Sequence, residues 1–157
     1  KLFNFLQMIP VYRIRDGRKN LSKNEDTFKK SSSILSKNGS ILLFPEANHS
    51  LNRYVRPLSK GFTRIIERTL ADTPDMVLYL VPVGQNYQSA TQVGDSAALY
   101  FGRPIPVKSG QYSEKANELK ENVFKAMREL TTHVDDNGNR NQHHTVVQNL
   151  PVYIHRH

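Results

Sequence analysis

Residues 76–83 (MVLYLVPV) form an unbroken apolar run, and this run limits most strongly how the chain can fold. A strand with one face in water alternates apolar and polar residues, whereas a continuous apolar run of strand length is typical of a strand covered on both faces. The run is far shorter than the ~20 residues that a membrane-spanning helix needs. It therefore predicts a central strand in a sheet with helices on both sides.

Helical and strand patterns alternate along the rest of the chain. Residues 59–70 place Phe62, Ile65, Ile66 and Leu70 on one helical face, at positions i, i+3, i+4 and i+8. Further helices are predicted at residues 22–37 and 113–132, and further strands at residues 41–44 and 98–102. The alternation predicts an α/β fold in which helices flank a mixed, largely parallel central sheet within a single layered domain.

The length of 157 residues suits one domain. Residues 135–144 (DDNGNRNQHH) are polar and rich in Asn, which is typical of a loop. Residues 145–154 are predicted either to add a short strand or to dock as a tail. We therefore expect one domain over residues 1–132, followed by a polar loop and C-terminal tail over residues 133–157.

The charge of the chain favours anionic partners. Its 22 basic and 14 acidic residues give a net charge of +8, which suits phosphates, anionic lipid headgroups or nucleic acid. The excess is concentrated in residues 13–37, which form either a solvated helix face or an anion-facing patch. No nucleic-acid-binding signature is present, so nucleic acid is not an expected partner. The absence of cysteine excludes disulfides, thiolate metal sites and a cysteine nucleophile.

Polar and charged side chains cluster in residues 43–61 (LFPEANHSLNRYVRPLSKG), where the predicted strand 41–44 ends. Pro45 stops the strand, and Glu46 follows where the chain leaves the sheet. Several cations and a predicted helix N-terminus near residues 59–61 come next, and such an end favours an anion. A carboxylate that holds hydroxyl groups beside cations that hold a phosphate would suit a glycerol phosphate. The alternative is that Glu46 caps a turn and that the cations are solvated.

Four short blocks resemble motifs of the glycerolipid acyltransferase family, which includes the lysophosphatidic acid acyltransferases. The blocks occur along the chain in the same order as the family's motifs. Residues 44–50 (FPEANHS) look like the family's Phe-Pro-Glu-Gly-Thr-Arg-Ser block. Residues 9–13 (IPVYR) resemble the block before it, residues 56–61 (RPLSKG) the stretch after it, and residues 81–83 (VPV) the final block. The resemblance extends over roughly residues 1–130 and implies acyl transfer from acyl-CoA or acyl-carrier protein to a lysophospholipid in phospholipid biosynthesis, with no other cofactor.

The resemblance also implies roles for individual residues. Arg13 and Glu46 correspond to residues associated with the glycerol phosphate acceptor, and Pro82 belongs to a block on the acyl-donor side or has a structural role. The candidate substrate-binding residues are Arg13, Glu46, Asn48, His49, Arg53, Arg56 and Lys60. Three positions depart from the family, because Ala47 replaces Gly, Asn48 replaces Thr and His49 replaces Arg. The acceptor is therefore open, and another lysolipid or an ornithine- or glycine-lipid precursor remains an alternative.

The family's catalytic His-x-x-x-x-Asp pair does not occur in these 157 residues, since none of the six histidines has Asp five positions later. In the family, this His removes the proton of the acceptor hydroxyl and the Asp orients it. We therefore expect the pair upstream of Lys1, the chain to be an N-terminally incomplete fragment, and this chain alone to be inactive. The late histidines, among them His143 and His155, lack a carboxylate motif, so no metal site is expected.

Membrane contact is expected near the N-terminus. Leu2, Phe3, Phe5 and Leu6 could face an anionic membrane together with the basic residues of 13–37, although ordinary core packing is the alternative. No run spans a bilayer, so we expect a peripheral location on the cytoplasmic face of the membrane. The competing functional hypothesis is a catalytically inactive, basic lipid- or anion-binding module.

Overall fold

The computed structural model describes residues 5, 7–12, 22–46, 54–87, 94, 96–109, 116–131, 146–147 and 152–156. Its helices are α1 (Asn24–Ser36), α2 (Gly61–Asp72) and α3 (Ala116–Glu129). Its strands are β1 (Ser40–Leu43), β2 (Val77–Tyr87), β3 (Ala97–Phe101), β4 (Ile105–Lys108), β5 (Val146–Val147) and β6 (Val152–Arg156). The three predicted helices and the predicted strands at 41–44, 76–83 and 98–102 are thus confirmed to within a few residues at the ends that the structure describes.

The sheet is small, open and antiparallel, so the prediction of a largely parallel sheet is wrong. Its order is β1-β6-β2-β3, and β4 and β5 also pair with β2. All pairings between the described strands are antiparallel. β1 and β2 are joined through α2 but are not neighbours in the sheet. They do run in the same direction, but β6 lies between them and pairs with both.

Two strands were not placed correctly by the sequence patterns. β2 continues to Tyr87, four residues beyond the apolar run, through the polar residues Gln85 and Asn86. β4 was missed because it contains Pro106, which weakens a strand pattern. The tail of the chain forms β5 and β6, which confirms the strand alternative for residues 145–154. The division of the chain at residue 132 stays a prediction.

The described core lies against one face of the sheet. It joins side chains of all three helices to alternate residues of β2, such as Leu78 and Leu80, and to Val152 and Ile154 of β6. Of the intervening residues of β2, Val77, Tyr79 and Val81 are half-buried, whereas Val83 is buried. Leu42 and Phe101, at the alternate positions of β1 and β3, are 59% and 68% exposed. The apolar run of β2 is thus buried at every second position from Leu78 to Pro82 rather than equally on both faces.

The turn between α1 and β1 fixes where β1 begins. The N–H groups of Asn38 and Gly39 donate to the C=O groups of Leu35 and Ile34, at 3.1 and 2.9 Å, which is the Schellman arrangement of a helix end. Asn38 takes the left-handed conformation, with φ at 61°. A Cβ on Gly39 would meet Ile34 Cγ2 at 2.6 Å, so glycine is required there. The Asn38–Gly39 pair therefore ends α1.

Candidate functional site

Glu46 lies just beyond β1, in a segment that is fixed by backbone pairing. The C=O group of Pro45 accepts a 2.8 Å hydrogen bond from the N–H group of Ser59. Glu46 itself pairs with Leu58 as an isolated antiparallel bridge. The strand end that carries the carboxylate is therefore held directly beside the segment that leads into α2.

The side chain of Glu46 is buried, with only 7% of the residue exposed. Its Oε1 atom is shielded from solvent. A buried carboxylate is tolerated only where hydrogen-bond donors or cations stabilise it. The burial of Glu46 therefore favours a site in which its carboxylate accepts hydrogen bonds from a bound hydroxyl group. The alternative, in which Glu46 caps a turn, stays open.

Two predicted cations lie on the segment that pairs with Glu46. Arg56 is half-buried and Lys60 is exposed, and each stands two residues from Leu58. Two residues of extended chain span at most about 7 Å, so both cations are attached close to the residue opposite Glu46. The structure thus brings Glu46, Arg56 and Lys60 to one region.

Lys60 is also the N-cap residue of α2. Its C=O group accepts a 2.9 Å hydrogen bond from the hydroxyl group of Thr63, and the first turn of α2 contains no acidic residue. The partial positive charge of a helix N-terminus is therefore not neutralised within its own first turn. The electrostatics of this end of α2 suit a phosphate.

Pro82 lies in the middle of β2, at the level of the strand end that carries Glu46. Pro82 and Leu43 both stand opposite Val152, so two strand spacings, about 10 Å, separate them. Proline is accommodated because β4 pairs with β2 up to Leu80 and β3 pairs with it from Val83. At this junction the C=O group of Pro82 accepts a 2.8 Å hydrogen bond from Gly102. These contacts give Pro82 a structural role, and its link to the acyl donor stays a prediction.

Arg13, Asn48, His49 and Arg53 lie outside the described residues, so their assignment to the site stays a prediction. The pairing of Pro45 and Glu46 with residues 58–59 was missed by the sequence reasoning. The only local indication of it is that Leu58 is apolar within a basic stretch, and it is buried in the structure.

Two other features of the described residues bear on the site. A shallow cavity of about 280 Å³ lies between α1 and α2, and none of the predicted site residues lines it. Within the same described part of the chain, no group of three or more His, Asp or Glu side chains could hold a metal ion.

Residues 1–85 match the family model of the acyltransferases. The chain is 27% identical over 131 residues to glycerol-3-phosphate O-acyltransferase 2 of Saccharomyces cerevisiae. The aligned residues make up 83% of the chain and 16% of that protein. The chain is 33% identical over 91 residues to a Schizosaccharomyces pombe protein described as an uncharacterized acyltransferase. Here the aligned residues make up 57% of the chain and 13% of the relative.

The chain spans less than a fifth of the length of either of these relatives. No solved structure matches it. The family resemblance inferred from the four short motifs is confirmed, because the family model covers all four of them and ends just beyond Val83. Since the matched residues 1–85 make up more than half of the chain, the protein belongs to the acyltransferase family.

Proposed function

We propose that the protein takes part in glycerolipid synthesis by transferring a fatty acyl group from acyl-CoA or acyl-carrier protein to a hydroxyl group of a glycerol phosphate acceptor. The observation that carries this proposal is the buried carboxylate of Glu46, which is paired beside a cationic segment within the region that matches the family. A lysophospholipid of the 1-acyl-glycerol-3-phosphate type is the acceptor that the sequence motifs favour.

In this reaction two kinds of protein group contact the acceptor. One is the base that removes the proton of the reacting hydroxyl group, and the other is the set of residues that hold the rest of the acceptor. The acceptor hydroxyl forms a bond to the thioester carbonyl carbon, the C–S bond breaks, and the thiol leaves with a proton. The base is the His of a His-x-x-x-x-Asp pair expected upstream of Lys1. Cations such as Arg56 and Lys60 hold the phosphate, while Glu46 accepts a hydrogen bond from a glycerol hydroxyl.

Glycerol 3-phosphate is a second candidate acceptor. It carries two hydroxyl groups, so one can react while Glu46 holds the other. Lysophosphatidate has a single free hydroxyl group, and Glu46 would then have to contact the reacting oxygen itself. The name of the Saccharomyces cerevisiae relative also supports this second candidate.

Acyl-transfer assays on the natural full-length protein test the proposal and separate the two acceptors. Labelled oleoyl-CoA or oleoyl-acyl-carrier protein is supplied with either lysophosphatidate or glycerol 3-phosphate, and the lipid product is separated by thin-layer chromatography. Transfer to either acceptor supports the enzyme, whereas the 157-residue chain alone is expected to show none. Robust turnover by this chain would place the base within it. Full-length protein that binds lipid but transfers no acyl group would favour the inactive binding module.

A peripheral contact with an anionic membrane surface belongs to the same proposal. None of the helices in the described part of the chain is both long and apolar enough to cross a membrane. Phe5, Met8 and Val11 are exposed near the N-terminus. Along α1 and its ends, Lys23, Lys30 and Lys37 recur every seven residues and therefore lie along one stripe of the helix. Exposed apolar groups combined with a lysine stripe suit an anionic lipid surface on the cytoplasmic side.

Replacing Lys30 and Lys37 together by glutamine should weaken binding to vesicles that contain anionic lipid. Each lysine near such a surface contributes about 1 kcal/mol, so the double variant should bind roughly 30-fold more weakly in a vesicle sedimentation assay at physiological salt. Binding to purely zwitterionic vesicles should not change.

A double variant with Lys108 and Lys125 changed to glutamine is the matched control for this experiment. Both lysines are exposed, on β4 and α3, and the charge change is the same. Equal loss of vesicle binding in the two double variants would show that net charge, rather than the stripe on α1, attracts the protein to the membrane.

A further inference from the structure

The side chain of Asn24, the first residue of α1, holds the backbone of Tyr12 by two reciprocal hydrogen bonds. The Tyr12 N–H group donates to Asn24 Oδ1 at 2.9 Å, and Asn24 Nδ2 donates to the Tyr12 C=O group at 2.8 Å. One helical turn later, the hydroxyl group of Thr27 donates to the C=O group of Pro10 at 2.7 Å. The amide of Asn24 thus bonds Tyr12 in the way that a neighbouring residue of an antiparallel strand would.

This use of Asn24 differs from the usual role of asparagine at a helix start, which is to cap the helix. Lys23 occupies the N-cap position of α1 and makes no side-chain cap hydrogen bond. The Nζ atom of Lys23 instead lies 5.5 Å from the centre of the Tyr12 ring, a distance typical of a cation–π contact. The side chains of Lys23 and Asn24 at the start of α1 therefore both contact Tyr12, which lies more than ten residues earlier in the chain.

The segment held in this way leads directly into Arg13. The C=O group of Tyr12 belongs to the same planar peptide unit as the backbone nitrogen and Cα of Arg13. The hydrogen bond from Asn24 therefore restrains the C=O group of Tyr12, the last described residue before Arg13. Thr27, which fixes Pro10 two residues earlier, is itself buried, so water does not compete readily for its bond.

We propose that Asn24 and Thr27 are positioning residues for the acceptor, because they hold the backbone of Pro10 and Tyr12 immediately before the predicted acceptor-binding Arg13. The proposal rests on the proposed acyltransferase function. A phosphate-binding cation is effective only when it is held close to the productive geometry, and a displacement of about 1 Å can lower a rate up to 100-fold. Loss of the Asn24 bonds should therefore weaken acceptor use and leave use of the acyl donor unchanged.

Steady-state kinetics of the natural full-length protein test this role. In Asn24→Ala, the KM for the acceptor is expected to rise on the order of tenfold, while kcat and the KM for oleoyl-CoA change less than twofold. Thr27→Val, which removes only the hydroxyl group, should raise the acceptor KM in the same direction, and Thr27→Ser should restore it. Asn117→Ala, at an exposed position of α3, is the matched control and should behave as wild type.

A double-mutant cycle shows whether Asn24 acts through Arg13. Once Arg13 is alanine, Asn24→Ala should raise the acceptor KM less than twofold further, because the cation that Asn24 positions has been removed. Full additivity of the two changes would overturn the proposal. So would a parallel rise of both KM values with a lower Tm, since that combination indicates a purely structural role.

Calorimetric titration with glycerol 3-phosphate separates this proposal from the function on which it rests. If wild-type protein binds glycerol 3-phosphate but transfers no acyl group, the proposed acyltransferase activity is refuted. A weaker affinity of Asn24→Ala in the same titration would then still support the positioning role. Wild-type protein that neither binds nor transfers would overturn both.

Discussion

Replacing Glu46 by alanine is expected to lower kcat/KM for the acceptor at least tenfold in the full-length protein. The loss corresponds to about 1.4 kcal/mol or more of transition-state stabilisation. The carboxylate is buried beside the segment that carries Arg56 and Lys60, so water cannot easily take its place. Acyl-transfer rates measured over a range of acceptor concentrations, at saturating acyl donor, would show the effect.

Two further variants define what the Glu46 result means. Glu46→Gln keeps the shape and one acceptor oxygen but removes the charge, so partial activity would assign the role of Glu46 to hydrogen bonding. Glu121→Ala, at an exposed position of α3, makes the same change elsewhere and should leave the kinetics unchanged. Wild-type kinetics in Glu46→Ala would rule out the proposed site, because no other described carboxylate lies at that strand end.

The elements that the sequence predicted well are those whose pattern is long and local. The stripe of Phe62, Ile66 and Leu70 on α2 recurs with helical period, and all three side chains are buried. The Asn-Gly pair after α1 suits the left-handed conformation at a helix end, and Asn38 adopts that conformation. In each case the residues that decide the structure lie within a few positions of one another, so a local pattern contains the necessary information.

The sheet neighbours could not be predicted in the same way. β6 comes from the end of the chain and lies between β1 and β2, although more than 60 residues separate Val152 from Pro82, its partner in β2. Which strands pair depends on contacts between distant segments, and a five-residue strand such as β6 carries no information about its partners. The parallel arrangement was inferred from the order of helices and strands alone, and that order also fits this antiparallel sheet.

The candidate site likewise combines features that follow from local sequence with contacts that local sequence does not indicate. The position of Glu46 after a strand, beside cations, follows from local sequence and from the motif. Its bridge to Leu58 and the bonds from Asn24 to Tyr12 join residues twelve positions apart, and no periodic pattern indicates them. Ser22 and Glu25 form the Ser-x-x-Glu pattern that marks many helix starts, but Lys23 rather than Ser22 occupies the N-cap position of α1.

Replacing Phe62 by alanine is expected to lower the free energy of unfolding by about 3–5 kcal/mol, a large part of the roughly 5–15 kcal/mol typical of a folded protein. Phe62 is 2% exposed and is among the largest fully buried side chains. Its removal would leave a cavity between α2 and the rest of the core. For a domain of this size, Tm should fall by roughly 6–20 °C in a thermal unfolding experiment.

Phe101→Ala is the matched control, because it deletes the same ring from a residue that is 68% exposed on β3. It should change the free energy of unfolding by less than about 1 kcal/mol. α2 begins beside the segment that pairs with Glu46, so Phe62→Ala should also lose activity at temperatures where wild type is stable, whereas Phe101→Ala should not. Equal Tm values for the two variants would show that α2 does not pack against the sheet through Phe62.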